Sequence, residues 1–193
     1  MSRSNHSFSR AFLAAAAALT MVFVSGASLL ASTAKQGQRD PAREQTYLNK
    51  EVRHELIMLP YLSLFDNLEY KVDGTKVTLL GQVVRPTLKE DAAGVVKRIE
   101  GVTEVDNQIQ VLPLSPLDDR IRRAAFREIY GSPQLTKYAW KAVQSIHIIV
   151  NNGHITLEGF VDNQGDKEVA EIRAKSVPDV FSVIDNLVVE AGK

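Results

Sequence analysis

Val77-Thr78-Leu79-Leu80-Gly81-Gln82-Val83 returns as Ile155-Thr156-Leu157-Glu158-Gly159-Phe160-Val161, 78 positions further along the chain. A turn precedes each copy, Asp73-Gly74-Thr75-Lys76 in the first and Asn151-Asn152-Gly153-His154 in the second. The same shift carries Ala92 onto Ala170, Val102 onto Val180, Val105 onto Val183, Ile109 onto Leu187 and Val111 onto Val189. A gapless match over about 35 residues marks two copies of one module. Within each stretch apolar and polar residues alternate, the mark of a half-buried strand. Gly81 and Gly159 fall at inward positions, where a glycine marks a close backbone approach or a bulge, here expected beneath a covering helix.

Working outward, Leu68, Tyr70 and Val72 alternate with Glu69, Lys71 and Asp73 to give a strand that the Gly74 turn folds back into a hairpin. Before it, Leu48, Val52, Leu56 and Leu59 recur at helical spacing up to Pro60. After it, Ala92, Val95, Val96 and Ile99 line one face of a helix over 89–100, with Gly101 as its stop. Val105, Ile109 and Val111 follow as a third strand, and the intervening helix makes a crossover to a parallel neighbour. The fold class is α+β: tandem αββαβ modules, each a three-stranded mixed sheet covered on one face by two helices.

The second module repeats the order. Ile121, Ala125 and Ile129 stripe a helix over 118–130, with Ser115 or Asp118 as its cap. Gly153 lies in the hairpin turn, and Ala170, Ala174 and Val177 face inward from a helix over 166–176. An insertion after Pro133 holds Tyr138 and Trp140. The boundaries fall at 46–113 and 114–193, across a linker bracketed by Pro113 and Pro116. Modules of about 70 residues bury little core, so the two are expected to lean on each other. The outer sheet face of the first module is polar, whereas Ile149, Phe160, Ile184 and Val188 give the second an apolar patch. Such patches meet partners: the other module, a second copy of the chain, a lipid surface or another protein.

The 193 residues hold 23 basic and 23 acidic side chains and no cysteine, which excludes disulfides and thiolate metal sites. A globally basic nucleic-acid binder is likewise excluded. Arg3 and Arg10 precede an uncharged run from Ala11 to Ala34, the pattern of a secretory signal over 1–34. Cleavage after Ala27 or Ala34 satisfies the small-residue rule. An uncleaved anchor is the alternative, because Ala11 to Ala31 is long enough to span. Residues 35–45 read as a polar linker. Either way the modules are expected outside the cytoplasm, in the periplasm or cell envelope.

Between Arg120 and Lys141 six basic residues stand against one acid, Glu128. Arg120, Arg123 and Arg127 share a helix flank with Phe126 and Tyr130, and Lys137, Tyr138, Trp140 and Lys141 follow in the insertion. Cations beside amphipathic rings suit an anionic headgroup layer, where each cation contributes about 1 kcal/mol. The alternative is an ordinary solvated helix face. His54, His147 and His154 lie at no spacing that suggests a catalytic triad or a metal site, so neither catalysis nor a cofactor is expected.

The repeated V/I-T-L-x-G-x-V with a later V-x-x-V-x-N/D-x-I/L-x-V resembles the BON-domain proteins of bacterial envelopes. The matching residues are Val77, Thr78, Leu79, Gly81, Val83, Val102, Val105, Asn107, Ile109 and Val111, and their counterparts from Ile155 to Val189. The resemblance implies an envelope protein linked to osmotic stress and envelope integrity, with anionic phospholipid as a ligand of the second domain. Several members are lipoproteins, and this chain has no cysteine to acylate. The expected role is therefore non-enzymatic binding of anionic phospholipid surfaces. A periplasmic protein–protein adaptor or self-associating module is the alternative.

Overall fold

A computed structural model describes residues 41–140 and 144–190. The expected signal segment and the start of the linker lie outside them, as does Lys141. Helix α1 (Pro41–Ile57) is followed by β1 (Asn67–Asp73), β2 (Lys76–Val83), α2 (Pro86–Lys97), β3 (Glu104–Asn107) and β4 (Gln110–Val111). The second module runs α3 (Pro116–Tyr130), a 3-10 turn at Thr136–Tyr138, β5 (Ile146–Asn151), β6 (His154–Val161), α4 (Gln164–Lys175), β7 (Ser182–Asp185) and β8 (Val188–Val189). From β2 onward every bound in the second copy is the first shifted by the same 78 residues.

In each sheet the hairpin is antiparallel, and the central strand pairs on its other side in parallel with the last strand. That last strand is one strand in two pieces, since β3 and β4 both pair with β2, and β7 and β8 both pair with β6. The expected unbroken third strand is interrupted by side chains that bond to local backbone. Asn107 accepts the Ile109 N–H and Asp185 the Leu187 N–H, diverting those amides from the ladder. The kink drives Ile109 and Leu187 into their cores.

Helix α1 begins at Pro41, so the end of the expected linker supplies its first turn. Likewise α2 begins at Pro86 and ends at Lys97, leaving Gly101 (φ +97) in the turn beyond it. Ser115 caps α3, its hydroxyl accepting the Asp118 N–H at 3.1 Å.

Gly81 and Gly159 have φ of +102 and +111. A Cβ there would meet the Asn67 or Ser145 carbonyl oxygen at 2.0 Å, so the close approach is to the neighbouring strand and not to the helix. The hairpin glycines are not equivalent. Gly74 (φ +58) corresponds to Asn152 (φ +51), and Gly153 (φ +81) is the second residue of its turn. Two successive positive φ values make Asn152-Gly153 a type I′ turn.

Two separate cores form, one with Leu48, Leu79 and Leu88 at its centre and one with Ile121, Leu157 and Tyr138. The segment between α1 and β1 joins them. Leu59 and Leu62 pack on the first core, whereas Leu64 and Phe65 pack on the second. The Ile148 N–H, on the free edge of β5, donates to the Leu64 carbonyl at 2.8 Å. Asp66 is buried, its carboxylate accepting from the Ser63 hydroxyl and the Ser63 and Val84 N–H groups. Its own carbonyl faces His147 Nδ1 at 2.6 Å, which fixes that nitrogen as the donor.

Burial holds His147 below the ordinary histidine pKa, despite the bond to the Asp66 carbonyl. As pH falls through about 6.5 the unfolded chain takes up a proton before the folded one does. Stability is therefore fully present above that pH and declines toward the depressed folded pKa. Urea unfolding at pH 7 and pH 5 should show this loss, and His147→Asn, which keeps a donor near Asp66, should flatten it.

Candidate functional site

Arg120, Arg123 and Arg127 project from the exposed side of α3, the outer side of a helix whose Ile121, Ala125 and Ile129 are buried. Spacings of three and four residues place the three guanidinium groups on one flank. Together with Pro178 and Asp179 they border a depression of about 310 Å³. Among the described residues none of the three forms an ion pair, whereas Arg122, Lys137 and Arg173 all do. Phe126 lies half-exposed beside them, its ring centroid 5.3 Å from that of Tyr130.

The rest of the expected basic–aromatic cluster divides. Trp140 is 83% exposed and is available to a surface. Tyr130 and Tyr138 are not: both are buried in the second core, contrary to their expected place at the headgroup layer. The Tyr130 hydroxyl donates to the Ile146 carbonyl, and burial raises its pKa. Tyr138 donates to Asp166 at 2.6 Å and accepts the Asp162 N–H at 2.7 Å, with its pKa pushed up to about 12, chiefly by burial. Lys137 is committed as well. Its ammonium lies 2.8 Å from Asp162 and 2.7 Å from Asp166, and these hydrogen bonds raise its pKa.

Of the expected apolar patch, Phe160, Ile184 and Val188 stay exposed on the outer face of the second sheet, where Phe160 and Val188 are register partners. Ile149 does not belong with them. It is 2% exposed, on the strand whose edge the segment from the first module covers. Among the described residues no group of three or more His, Asp or Glu could hold a metal ion, and no helix is long and apolar enough to cross a membrane.

Two polar groups inside the second module escape a periodicity reading. Asp118 is buried at the start of α3 and accepts the Asn152 and Gly153 N–H groups, capping the hairpin turn. Arg122, 3% exposed, donates to the Val150 carbonyl at 2.7 Å. In the first module Gln45 of α1 serves the equivalent carbonyl, Val72. The covering helix thus bonds to the same strand oxygen in both copies, by an amide in one and a guanidinium in the other.

The BON domain model matches residues 46–113 and 133–191, well over half of the chain. This chain belongs to the BON domain family. The second match begins after α3, although α3 covers its sheet as α1 covers the first. The osmotically-inducible protein Y of Escherichia coli (strain K12) is 32% identical over 130 residues, 63% of this chain and 61% of that protein. The chain therefore spans less than two thirds of the length of that curated relative. Two solved structures of CdsD, a structural protein of the type III secretion system of Chlamydia trachomatis, align over 74% of this chain. They cover 96% and 92% of those chains at 14% and 12% identity, and TM-scores of 0.27 leave no superposition to reason from. Across the two BON modules of this chain, the exposed arginine flank belongs to the second; at the same steps from its buried stripe of Leu48, Val52 and Leu56, α1 carries Tyr47, Lys50 and His54.

Proposed function

We propose that this BON protein is an exported, non-enzymatic envelope protein that binds anionic phospholipid surfaces through α3 of its second module and supports tolerance of osmotic stress. One observation carries the reading. Arg120, Arg123 and Arg127 present like charge on one exposed helix flank beside Phe126, with no carboxylate committed to them among the described residues. Guanidinium groups bind phosphate oxygens in bidentate fashion, and a half-exposed ring settles at the boundary between headgroups and acyl chains. Family membership and the likeness to an osmotically-inducible protein support the envelope role, as does the basic-then-apolar pattern of the N-terminal sequence.

Co-sedimentation with vesicles tests the reading. Binding should rise with the fraction of phosphatidylglycerol over phosphatidylcholine and fall as salt is added. Arg123→Glu should weaken it by about tenfold or more, since a favourable cation is replaced by an anion. Trp140→Ala should weaken it less. Equal binding to zwitterionic vesicles, or indifference to salt and to Arg123→Glu, would overturn the proposal.

A further inference from the structure

A groove of about 810 Å³ runs between the two modules. On one wall four consecutive residues of β1, Asn67 to Tyr70, line it together with the end of α1. Leu68 and Tyr70 point to the helix side of the sheet, and Asn67 and Glu69 to the other. A wall made from both faces of one strand is that strand's edge.

The hydrogen-bond parity of β1 agrees. The Val72 carbonyl receives a bond from the Gln45 side chain of α1, so it points away from β2. In an antiparallel pair, N–H and C=O groups two and four residues along point the same way. The main-chain groups of Tyr70 and Leu68 therefore face outward along this edge, into the groove. The corresponding edge of β5 is occupied by the segment around Leu64, whereas among the described residues no main-chain bond of this kind reaches Leu68 or Tyr70 of β1.

The opposite wall is the outer face of the second sheet. Phe160 and Val188 supply an apolar floor there, and Glu158 and Glu190 stand beside them. Glu69 adds a carboxylate from the first module, and Asp162, which pairs with Lys137, is a fourth. Among the described residues Glu69 and Glu158 each accept from an amide, Asn67 and Asn186, and form no ion pair, while Arg53 and His147 are the basic groups lining the same space.

We propose that this groove binds an extended, apolar peptide segment bearing lysine or arginine, adding it as a strand to the free edge of β1. The main chain of the guest pairs with Leu68 and Tyr70. Alternate side chains then reach the Phe160–Val188 floor and the carboxylates of Glu69 and Glu158. The proposal is independent of lipid binding, which uses the other side of the second module's sheet.

The test uses the full chain and three dye-labelled octapeptides read by fluorescence anisotropy. One alternates lysine and valine, one alternates glutamate and valine, and one is the lysine peptide with alternate amides N-methylated. The lysine peptide should bind saturably, the N-methylated one roughly tenfold more weakly because it cannot complete the strand ladder. The glutamate peptide should not saturate. Glu158→Lys and Phe160→Asp, both at solvent-facing positions and checked for folding by circular dichroism, should each weaken the lysine peptide. Absence of saturable binding, or equal affinity for all three peptides, would overturn the proposal. So would a dimer in sedimentation that Phe160→Asp dissociates, because a second copy would then be the occupant.

Discussion

Replacing Asp166 with alanine is expected to lower the stability of the second module by about 3 kcal/mol. The carboxylate is 2% exposed and accepts from Tyr138, Lys137, Gln134 and Asn163. Alanine removes every one of those bonds and takes from the buried Tyr138 hydroxyl the carboxylate it donates to at 2.6 Å. The shift of 78 that relates the copies places Asp166 on Leu88, a fully buried core residue of the first module. A polar group thus stands where the first copy has an apolar one, and the insertion carrying Gln134, Lys137 and Tyr138 supplies its partners. Asp166→Leu alone should be nearly as damaging, whereas Asp166→Leu combined with Tyr138→Phe should recover part of the loss, since the buried hydroxyl goes with its acceptor and the part-buried Asp162 N–H is the donor that then loses its Tyr138 partner. Urea midpoints for the single and double variants measure this, and additive losses would show the two side chains to be uncoupled.

The same residue adds an acid limb. Burial alone would raise the Asp166 pKa, but hydrogen bonds from Lys137, Tyr138 and Gln134 outweigh it and hold the pKa below the ordinary value. Its contribution is therefore complete above about pH 4 and is lost as pH falls through the depressed folded pKa.

Gly159→Ala is expected to cost about 3 kcal/mol or more and to unfold the second module first. Two penalties act together. The backbone sits at φ +111, which an L side chain rarely adopts, and the new Cβ would lie 2.0 Å from the Ser145 carbonyl oxygen. That oxygen also accepts the Phe160 N–H at 2.8 Å, so it cannot withdraw without giving up a ladder bond. Gly74→Ala is the control. Its φ of +58 carries strain, but nothing lies within 4 Å of the added carbon, so the loss should stay near about 1 kcal/mol. Thermal or urea unfolding followed by circular dichroism separates them, and equal losses would mean that backbone strain alone accounts for both.

Much of this architecture could be read from residues because both copies obey the same period. Leu79, Leu157 and the inward helix stripes all lie where alternation puts them. What escaped had a definite physical origin. Periodicity assigns charged side chains to water, so it does not reveal that Asp118, a candidate cap of its own helix, holds the distant Asn152-Gly153 turn, or that Arg122 donates to the Val150 carbonyl of β5. Tyr138 lies in an insertion with no counterpart to compare against, and its ring reads equally well as core or surface. The interruption of the last strand follows from side-chain bonds of Asn107 and Asp185 that hydropathy does not register. The arginine flank of α3 was visible because its alternatives, burial and ion pairing, leave marks in spacing and composition. Asp166 carried a signal too, since it broke the copy at a position that is leucine in its twin.

The short run from Leu59 to Asp66 belongs by position to the first module, yet it completes the second by occupying the rim of β5. Duplication of the unit was therefore not duplication of autonomy. Severing the chain near Pro113 would hand the later half a bare strand margin and leave Leu64 and Phe65 without the core they fill. The two halves cannot be reshuffled like interchangeable cassettes, because the earlier one donates a piece that the later one does not encode.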